Sequence, residues 1–111
     1  MARAALTVQE ISLTGLNPSY VAAEGDGNSF TNLGDVFIHV KNASGGSITV
    51  TVQTPATVQG VAVEEVPVSV PASGERMIGP FPPSVFNQSD ATVYVDYSAV
   101  TSLTVAAVKL D

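Results

Sequence analysis

The sequence predicts an all-β protein, and three observations lead to that class. The 111 residues are rich in Val, Thr, Ala and Ser and poor in Leu, Lys and Glu, which favours half-buried strands over helices. Apolar residues recur at every second position in several short runs, and turn residues separate these runs at intervals of roughly ten residues. We therefore expect one domain over residues 1–111, built as an eight-stranded antiparallel β-sandwich of the jelly-roll type. An immunoglobulin-like sandwich is the alternative.

Two strands and a long loop are predicted before residue 35. Residues 5–13 alternate poorly, which is typical of an edge strand, and residues 1–13 are expected to form an N-terminal arm or an edge strand. A short second strand follows at residues 20–23. Residues 24–34 are polar and glycine-rich, so they are predicted to form a loop that is longer than usual.

Six further strands are predicted in the rest of the chain. They occupy residues 35–41, 47–53, 66–70, 75–78, 91–97 and 103–110. The first two of them are expected to pair as an antiparallel hairpin across the turn at residues 42–46. A second hairpin is expected across Pro71-Ala72-Ser73-Gly74. Gly79-Pro80-Phe81-Pro82-Pro83 then ends the ladder, because proline has no backbone N–H to donate.

Charge and cysteine content narrow the function classes. Four basic residues against ten acidic ones give a net charge of −6 without a Lys/Arg cluster, so nucleic acid is not an expected partner. The chain has no cysteine, which removes disulfides, thiolate metal sites and a cysteine nucleophile from consideration. No apolar run approaches the roughly 20 residues of a membrane span, and residues 1–10 do not read as a secretory signal. Synthesis in the cytoplasm, with no membrane partner, is the resulting expectation.

Catalytic residues are not expected. His39 is the single histidine, and Asp35, which shares its strand face, would lie about 13 Å away. We therefore expect His39 to have a structural or surface role. Glu64 and Glu65 are adjacent on an extended chain and point to opposite faces, which is unsuitable for a glycosidase pair. No Gly-x-Ser-x-Gly elbow is present, so we predict a protein that is not an enzyme.

The acidic loop is the one candidate metal site. Glu24, Asp26, Asn28 and Asp35 have offsets that parallel a calcium-binding loop. Ser29 stands where such loops have glycine, Asp35 replaces the usual bidentate Glu, and no helices flank the segment. Calcium is the only cofactor considered, and a flexible loop without metal is the other interpretation.

The residues suggest a family at this point. The segment 35–41, the following glycine turn and Thr/Val-rich strand, Val-Pro-Ala-Ser-Gly-Glu-Arg at 70–76 and Ile78-Gly79-Pro80-Phe81-Pro82-Pro83 resemble small structural proteins of tailed bacteriophages. The resemblance covers residues 31–110 and is one of pattern. It implies a virion protein that decorates and cements the capsid, binds the major capsid protein and forms a homo-oligomer, often a trimer. Head–tail connector and tail proteins are the alternatives within the class.

Apolar residues outside the clear strands are the predicted contact surface of such a protein. They are Leu6, Val8, Ile11, Phe81 and Phe86. For Phe81 a second interpretation is a loop side chain that folds back and plugs one end of the sandwich. A carbohydrate-binding sandwich module, with Tyr94 and Tyr97 as stacking residues, is the alternative outside the virion class.

Overall fold

A computed structural model describes residues 3–32, 34–55, 57–62 and 65–109 of the chain. Its elements are β1 (Ala4–Ala5), β2 (Val8–Glu10), β3 (Val21–Ala22), β4 (Asn28–Thr31), β5 (Val36–Asn42), β6 (Ile48–Val52), β7 (Thr57–Val58), β8 (Val61–Ala62), β9 (Val66–Val70), β10 (Glu75–Ile78), α1 (Pro83–Phe86), β11 (Thr92–Tyr97) and β12 (Leu103–Lys109). The predicted all-β class is confirmed. Within the described ranges no helix is long and apolar enough to cross a membrane.

The strands form two mixed sheets of five strands each, an arrangement compatible with a β-sandwich. Sheet A has the order β1-β4-β11-β6-β9. Sheet B has the order β10-β5-β12-β2, with β3 on the same edge of β12 as β2. Strands β7 and β8 form a separate two-stranded hairpin. The described residues hold twelve strands where eight were expected, and two of the pairings are parallel, so the sheets are mixed.

Alternation along the strands places the core between the two sheets. In β6 the apolar side chains of Ile48, Val50 and Val52 are buried, whereas the threonines between them are half-buried on the outer side. Sheet B contributes the facing half of the core. The buried cluster comprises Leu6, Ala23, Phe30, Val36, Ile38, Val40, Ile48, Val50, Val52, Val70, Phe81, Val93, Val95, Leu103, Val105 and Ala107.

Eight of the strands form four nested antiparallel pairs. The innermost pair is β6 with β9, and β5 with β10, β4 with β11 and β3 with β12 follow outward along the chain. The pairings β11 with β6 and β12 with β5 join these pairs side by side within each sheet. Both predicted hairpins were therefore wrong, since β5 and β6 lie in different sheets, as do β9 and β10. The alternation of a strand defines which face is buried but not which strand is its neighbour.

The N-terminal segment closes one long side of the sandwich. Strand β1 runs parallel to β4 at the edge of sheet A, and β2 runs parallel to β12 at the edge of sheet B. Between them the chain crosses from one sheet to the other, and the Leu6 side chain, 8% exposed, enters the core. The predicted strand 5–13 is thus broken at this crossing.

Three short strands, β4, β7 and β8, were missing from the prediction. Strand β4 lies within the predicted loop 24–34, and its Phe30 side chain is buried in the core. Asn28, two residues before it, is buried and makes three side-chain hydrogen bonds, so the polar composition of the segment concealed a strand. The β7–β8 hairpin has positive φ at Gln59 (52°) and Gly60 (80°), as a type I′ turn requires. Glu64 and Leu110, which also entered the predictions, lie outside the described residues.

Candidate functional site

The outer face of sheet B carries several apolar side chains, and residues 11–20, which we call the strap, lie over them. Val108 and Ala106 of β12 are on that face, yet they are only 5% and 2% exposed. Strap and sheet enclose a cleft of about 210 Å³. Its lining consists of Ile11, Leu16, Pro18 and Tyr20 from the strap and Phe37, His39, Met77 and Val108 from the sheet. The strap is thus a cover with a groove left beneath it.

Hydrogen bonds hold both ends of the strap in place. The Gln9 side chain donates from Nε2 to the Ser19 carbonyl at 2.9 Å and accepts from the Ser19 N–H at 2.8 Å. Between these ends, Gly15 N–H donates to the Ser12 carbonyl at 3.0 Å and closes a turn. Gly15 has a φ of 96°, a conformation that glycine adopts at no steric cost. The strap is therefore an ordered loop and not a loose connection.

His39 lies under the strap between a phenol and a carboxylate. Its Nδ1 is 2.6 Å from Tyr20 Oη of the strap, and its Nε2 is 2.8 Å from Glu75 Oε1 of β10. The His39 residue is 8% exposed, and the Lys41 ammonium lies 4.3 Å from the centre of the Tyr20 ring. Three segments that are distant in sequence therefore meet at one imidazole.

The cluster has the order carboxylate, imidazole, hydroxyl, which is the order found in nucleophilic triads. When the Tyr20 hydroxyl donates to Nδ1, Nε2 carries the proton and donates it to Glu75. Both ring nitrogens then have partners, so neither offers a lone pair to a molecule in the cleft. The hydrogen bonds of His39 join the strap to strands β5 and β10, and the geometry of the cluster supports this linking role.

The sequence did not reveal Glu75 as the partner of His39. The expected pairing placed β10 beside β9, whereas Met77 of β10 lies directly opposite His39 of β5. Glu75 then falls two residues along on the same face of the sheet. The missing signal was strand order, because the strand at residues 75–78 was predicted but attached to the wrong neighbour.

The four residues of the predicted calcium loop are not brought together as a ligand set. Asn28 is 1% exposed, and its side chain donates to the Ala4 carbonyl at 3.1 Å and accepts from the Tyr97 hydroxyl at 2.7 Å. Its Oδ1 also accepts from the Glu24 N–H at 3.2 Å. Asp26 and Asp35 are exposed. Among the described residues, no three His, Cys, Asp or Glu side chains are grouped so that they could hold a metal ion.

The predicted partner-binding residues separate into two sets. Leu6 and Phe81 are 8% and 3% exposed and belong to the core, so their side chains are not on the surface of the single chain. Phe81 packs at centroid distances of 5.6 Å on Phe30 and 5.3 Å on Phe86, which matches the plug interpretation. Val8 and Phe86 are half-buried against the same core. Of the five, Ile11 alone lines the cleft under the strap.

Exposed large apolar side chains among the described residues occur in the strap and the cleft beside it, in β3, where Val21 is 50% exposed, and in the β7–β8 hairpin. Leu13 (108% exposed) lies in the strap, and Met77 (68%) lines the cleft next to it. Val61 (68%) lies in the β7–β8 hairpin, whose Thr57, Gln59 and Gly60 are exposed as well. We call residues 57–62 the hairpin arm, because its two strands pair with each other and with no other described strand.

The outer face of sheet A is polar, and in the part of the chain that the structure describes no segment of the strap type covers it. Its most connected residue is Asp96, which accepts from Arg3 Nη1 at 2.6 Å and from Gln53 Nε2 at 2.7 Å. The Arg3 guanidinium also lies 4.4 Å from the centre of the Tyr94 ring. Arg3 covers one face of the Tyr94 ring, and the Tyr97 hydroxyl is bonded to Asn28. The two rings therefore do not form the exposed pair that a sugar-stacking platform needs.

Comparison with known proteins adds no relative to this picture. No family model, no curated protein and no solved structure matches the chain.

Proposed function

We propose that this chain is a non-enzymatic structural protein of a tailed-phage virion, made in the host cytoplasm, which binds the major capsid protein and stabilises the shell as a decoration protein. The resemblance at residues 31–110 motivates the class. The single observation that carries the proposal is the hairpin arm, because its exposed Val61, next to the turn at Gln59 and Gly60, offers a partner an apolar side chain to bury.

The strand order supports the finer fold within this proposal. A jelly roll has eight strands in two sheets and is an architecture of viral capsid domains. Four nested antiparallel pairs wound into two sheets give that arrangement, and β3 to β6 with β9 to β12 supply such pairs. We propose that these eight strands are the jelly roll and that β1, β2 and the hairpin arm are additions to it.

The hairpin arm has the properties of a docking element. An isolated two-stranded hairpin is marginally stable in water, so contact with a partner would stabilise it. Its type I′ turn already has the geometry that the paired strands need, which reduces the entropy lost on docking. Val61, 68% exposed, is the aliphatic side chain that such a contact would bury.

The test is co-sedimentation of the purified chain with undecorated capsids assembled from the major capsid protein of the same genome. We expect binding at micromolar concentration, and Val61→Asp is expected to weaken it by about tenfold or more, since burial of one aliphatic side chain is worth roughly 1.5–3 kcal/mol. Ala72→Asp adds the same charge in another exposed turn and should bind like the unmodified chain. Absence of binding by the unmodified chain would contradict the proposed function, whereas undiminished binding by Val61→Asp would exclude only the arm.

A further inference from the structure

Leu13 is presented to solvent by a turn that is internally braced. The Ser12 hydroxyl lies 3.0 Å from Thr14 Oγ1 and donates to the Gly15 carbonyl at 3.2 Å, and Gly15 N–H returns to the Ser12 carbonyl. At the tip, Leu13 is 108% exposed. A fully exposed leucine on a braced turn loses little entropy when it is buried by a partner, so it suits the role of a projecting contact residue.

A receptor of suitable size lies directly beside it. Ile11 and Leu16, which flank the turn, both line the cleft of about 210 Å³ under the strap. An apolar cavity of roughly 150 Å³ holds a benzene-sized molecule, so the cleft has room for one leucine side chain. Met77, 68% exposed, lines the cleft from β10 and would be covered with it.

We propose that two copies of this chain associate about a two-fold axis, with Leu13 of each copy in the cleft of the other. The reason is that the projecting Leu13 side chain and the cleft lie on the same patch of the surface. A two-fold interface uses the same patch on both subunits, so each projection meets the other subunit's cleft. A ring of three or more copies would instead need projection and cleft on different faces of the molecule.

Charge favours this face over the rest of the surface. Each copy has a net charge of −6, so two copies repel each other unless they meet where acidic groups are few. None of the residues that line the cleft is acidic. Charged groups near it include Glu75, bonded to His39, and Lys41, placed over Tyr20, and their charges are opposite. A two-fold contact here therefore brings cations as well as carboxylates of one copy against the other.

Sedimentation equilibrium of the purified chain, without capsids, is the first test. We expect the mass to rise with concentration from 11.4 kDa towards twice that value. Leu13→Asp should weaken association by about tenfold or more, because a charge would enter an apolar cleft. Val61→Asp, equal in charge and also at an exposed aliphatic residue, should associate like the unmodified chain. A monomer at millimolar concentration, a mass of three chains, or equal behaviour of the two variants would overturn the proposal.

Cross-linking tests the contact itself, since the chain has no cysteine of its own. A Leu13→Cys chain and a Met77→Cys chain that carry different tags are mixed under mild oxidation. We expect the mixed disulfide to form at least about tenfold faster than with a Val61→Cys chain in place of Leu13→Cys, because docking raises the effective concentration of the two thiols. Equal rates would overturn the proposal. Because capsids are absent, a failure here is distinguishable from a failure of the virion role.

Discussion

The outer faces of the two sheets differ in their side chains and in how they meet solvent. In sheet A the residues between the buried ones are half-buried and polar, as with Thr49 and Thr51 of β6, and they meet solvent directly. In sheet B the corresponding positions hold Phe37, His39 and Val108, and the strap lies over them. A strand with one apolar face can stand at the surface, whereas one with two needs a second layer.

The strap covers the outer face of sheet B only in part. The strap encloses Val108 and His39 but leaves a cleft, and it places Leu13 outward beside this cleft. Sheet A, which never needed a cover, has no comparable apolar opening on its outer face among the residues described. Apolar surface therefore remains exposed on the strap and in the cleft beside it, and we propose that a second copy buries it.

Introducing charge on the two faces should break the comparison most strongly. Val108→Asp places a carboxylate under the strap, and we expect it to cost roughly 3–5 kcal/mol of unfolding free energy, the scale of an uncompensated buried charge. Thr49→Asp, on the outer face of β6, should change stability by no more than about 0.5 kcal/mol. Urea unfolding of both variants gives the two values. Similar losses would mean that the strap does not exclude water from sheet B.

Removing one tyrosine from each face gives a matched pair of intermediate effect. Tyr20→Ala removes the packing of a half-buried ring, its contact with Lys41 and the hydrogen bond to His39, so we expect a loss of about 3 kcal/mol. Tyr94→Ala removes mainly the contact with Arg3, for which about 1 kcal/mol is expected. Thermal unfolding monitored by circular dichroism measures both. If Tyr94→Ala is the more damaging, sheet A depends on its surface more than we infer.

The inner side of sheet A provides a pH-dependent test. Burial, reinforced by the nearby Asp96 carboxylate, raises the pKa of the Tyr97 phenol above its ordinary value. The unfolded chain releases this proton above about pH 10 while the folded chain retains it, so Tyr97 makes stability fall as pH rises through that range. Tyr97→Phe should cost about 1 kcal/mol at pH 7, since Asn28 loses a donor.

That cost should shrink as the pH is raised from 9 to 11, because the variant lacks the ionising group. Urea midpoints of the unmodified chain and of Tyr97→Phe across this range make the comparison. A difference that stays constant with pH would show that the Tyr97 hydroxyl is more open to solvent than its bond to Asn28 indicates.

The smallest expected effect concerns the stability of the strap tip. Leu13→Asp should change the unfolding free energy of the monomer by less than about 0.5 kcal/mol, since the side chain is 108% exposed and buries nothing within its own chain. Urea unfolding at low protein concentration isolates this value from association. A clear loss of unfolding free energy would mean that Leu13 stabilises the strap. The association of Leu13→Asp would then have to be compared with that of Val61→Asp before a weaker value is attributed to the contact.

Sequence patterns predicted the strands but not their neighbours. The alternation of Ile48, Val50 and Val52 identified β6 and its buried face without help from tertiary structure. Strand β4 was missed because its stability comes from Phe30 and from hydrogen bonds to Asn28, which a polar and glycine-rich composition does not announce. The pairing of β10 with β5 was missed as well, since nothing local to a strand encodes the sheet that it joins.

The His39 cluster was harder to predict than the strands, because it depends on which strands are neighbours. His39, Tyr20 and Glu75 are ordinary residues of three separate predicted elements, and they meet only after β10 crosses to sheet B and the strap returns over β5. The exposure of Leu13 was equally hidden, because its strand-like surroundings suggested an edge strand where the chain makes a turn. Both features depend on long-range placement, which composition and periodicity do not carry.

The nested strand pairs also determine when this chain can fold. Only β6 and β9 are close in sequence, and each pair further out joins segments separated by a longer stretch of chain. Architectures dominated by such distant pairings fold in milliseconds to seconds, because loop closure must be completed before contacts compensate for it. Strand β12, the last in chain order, is also an interior strand of sheet B. During synthesis, sheet B therefore has to wait until residue 109 has been added.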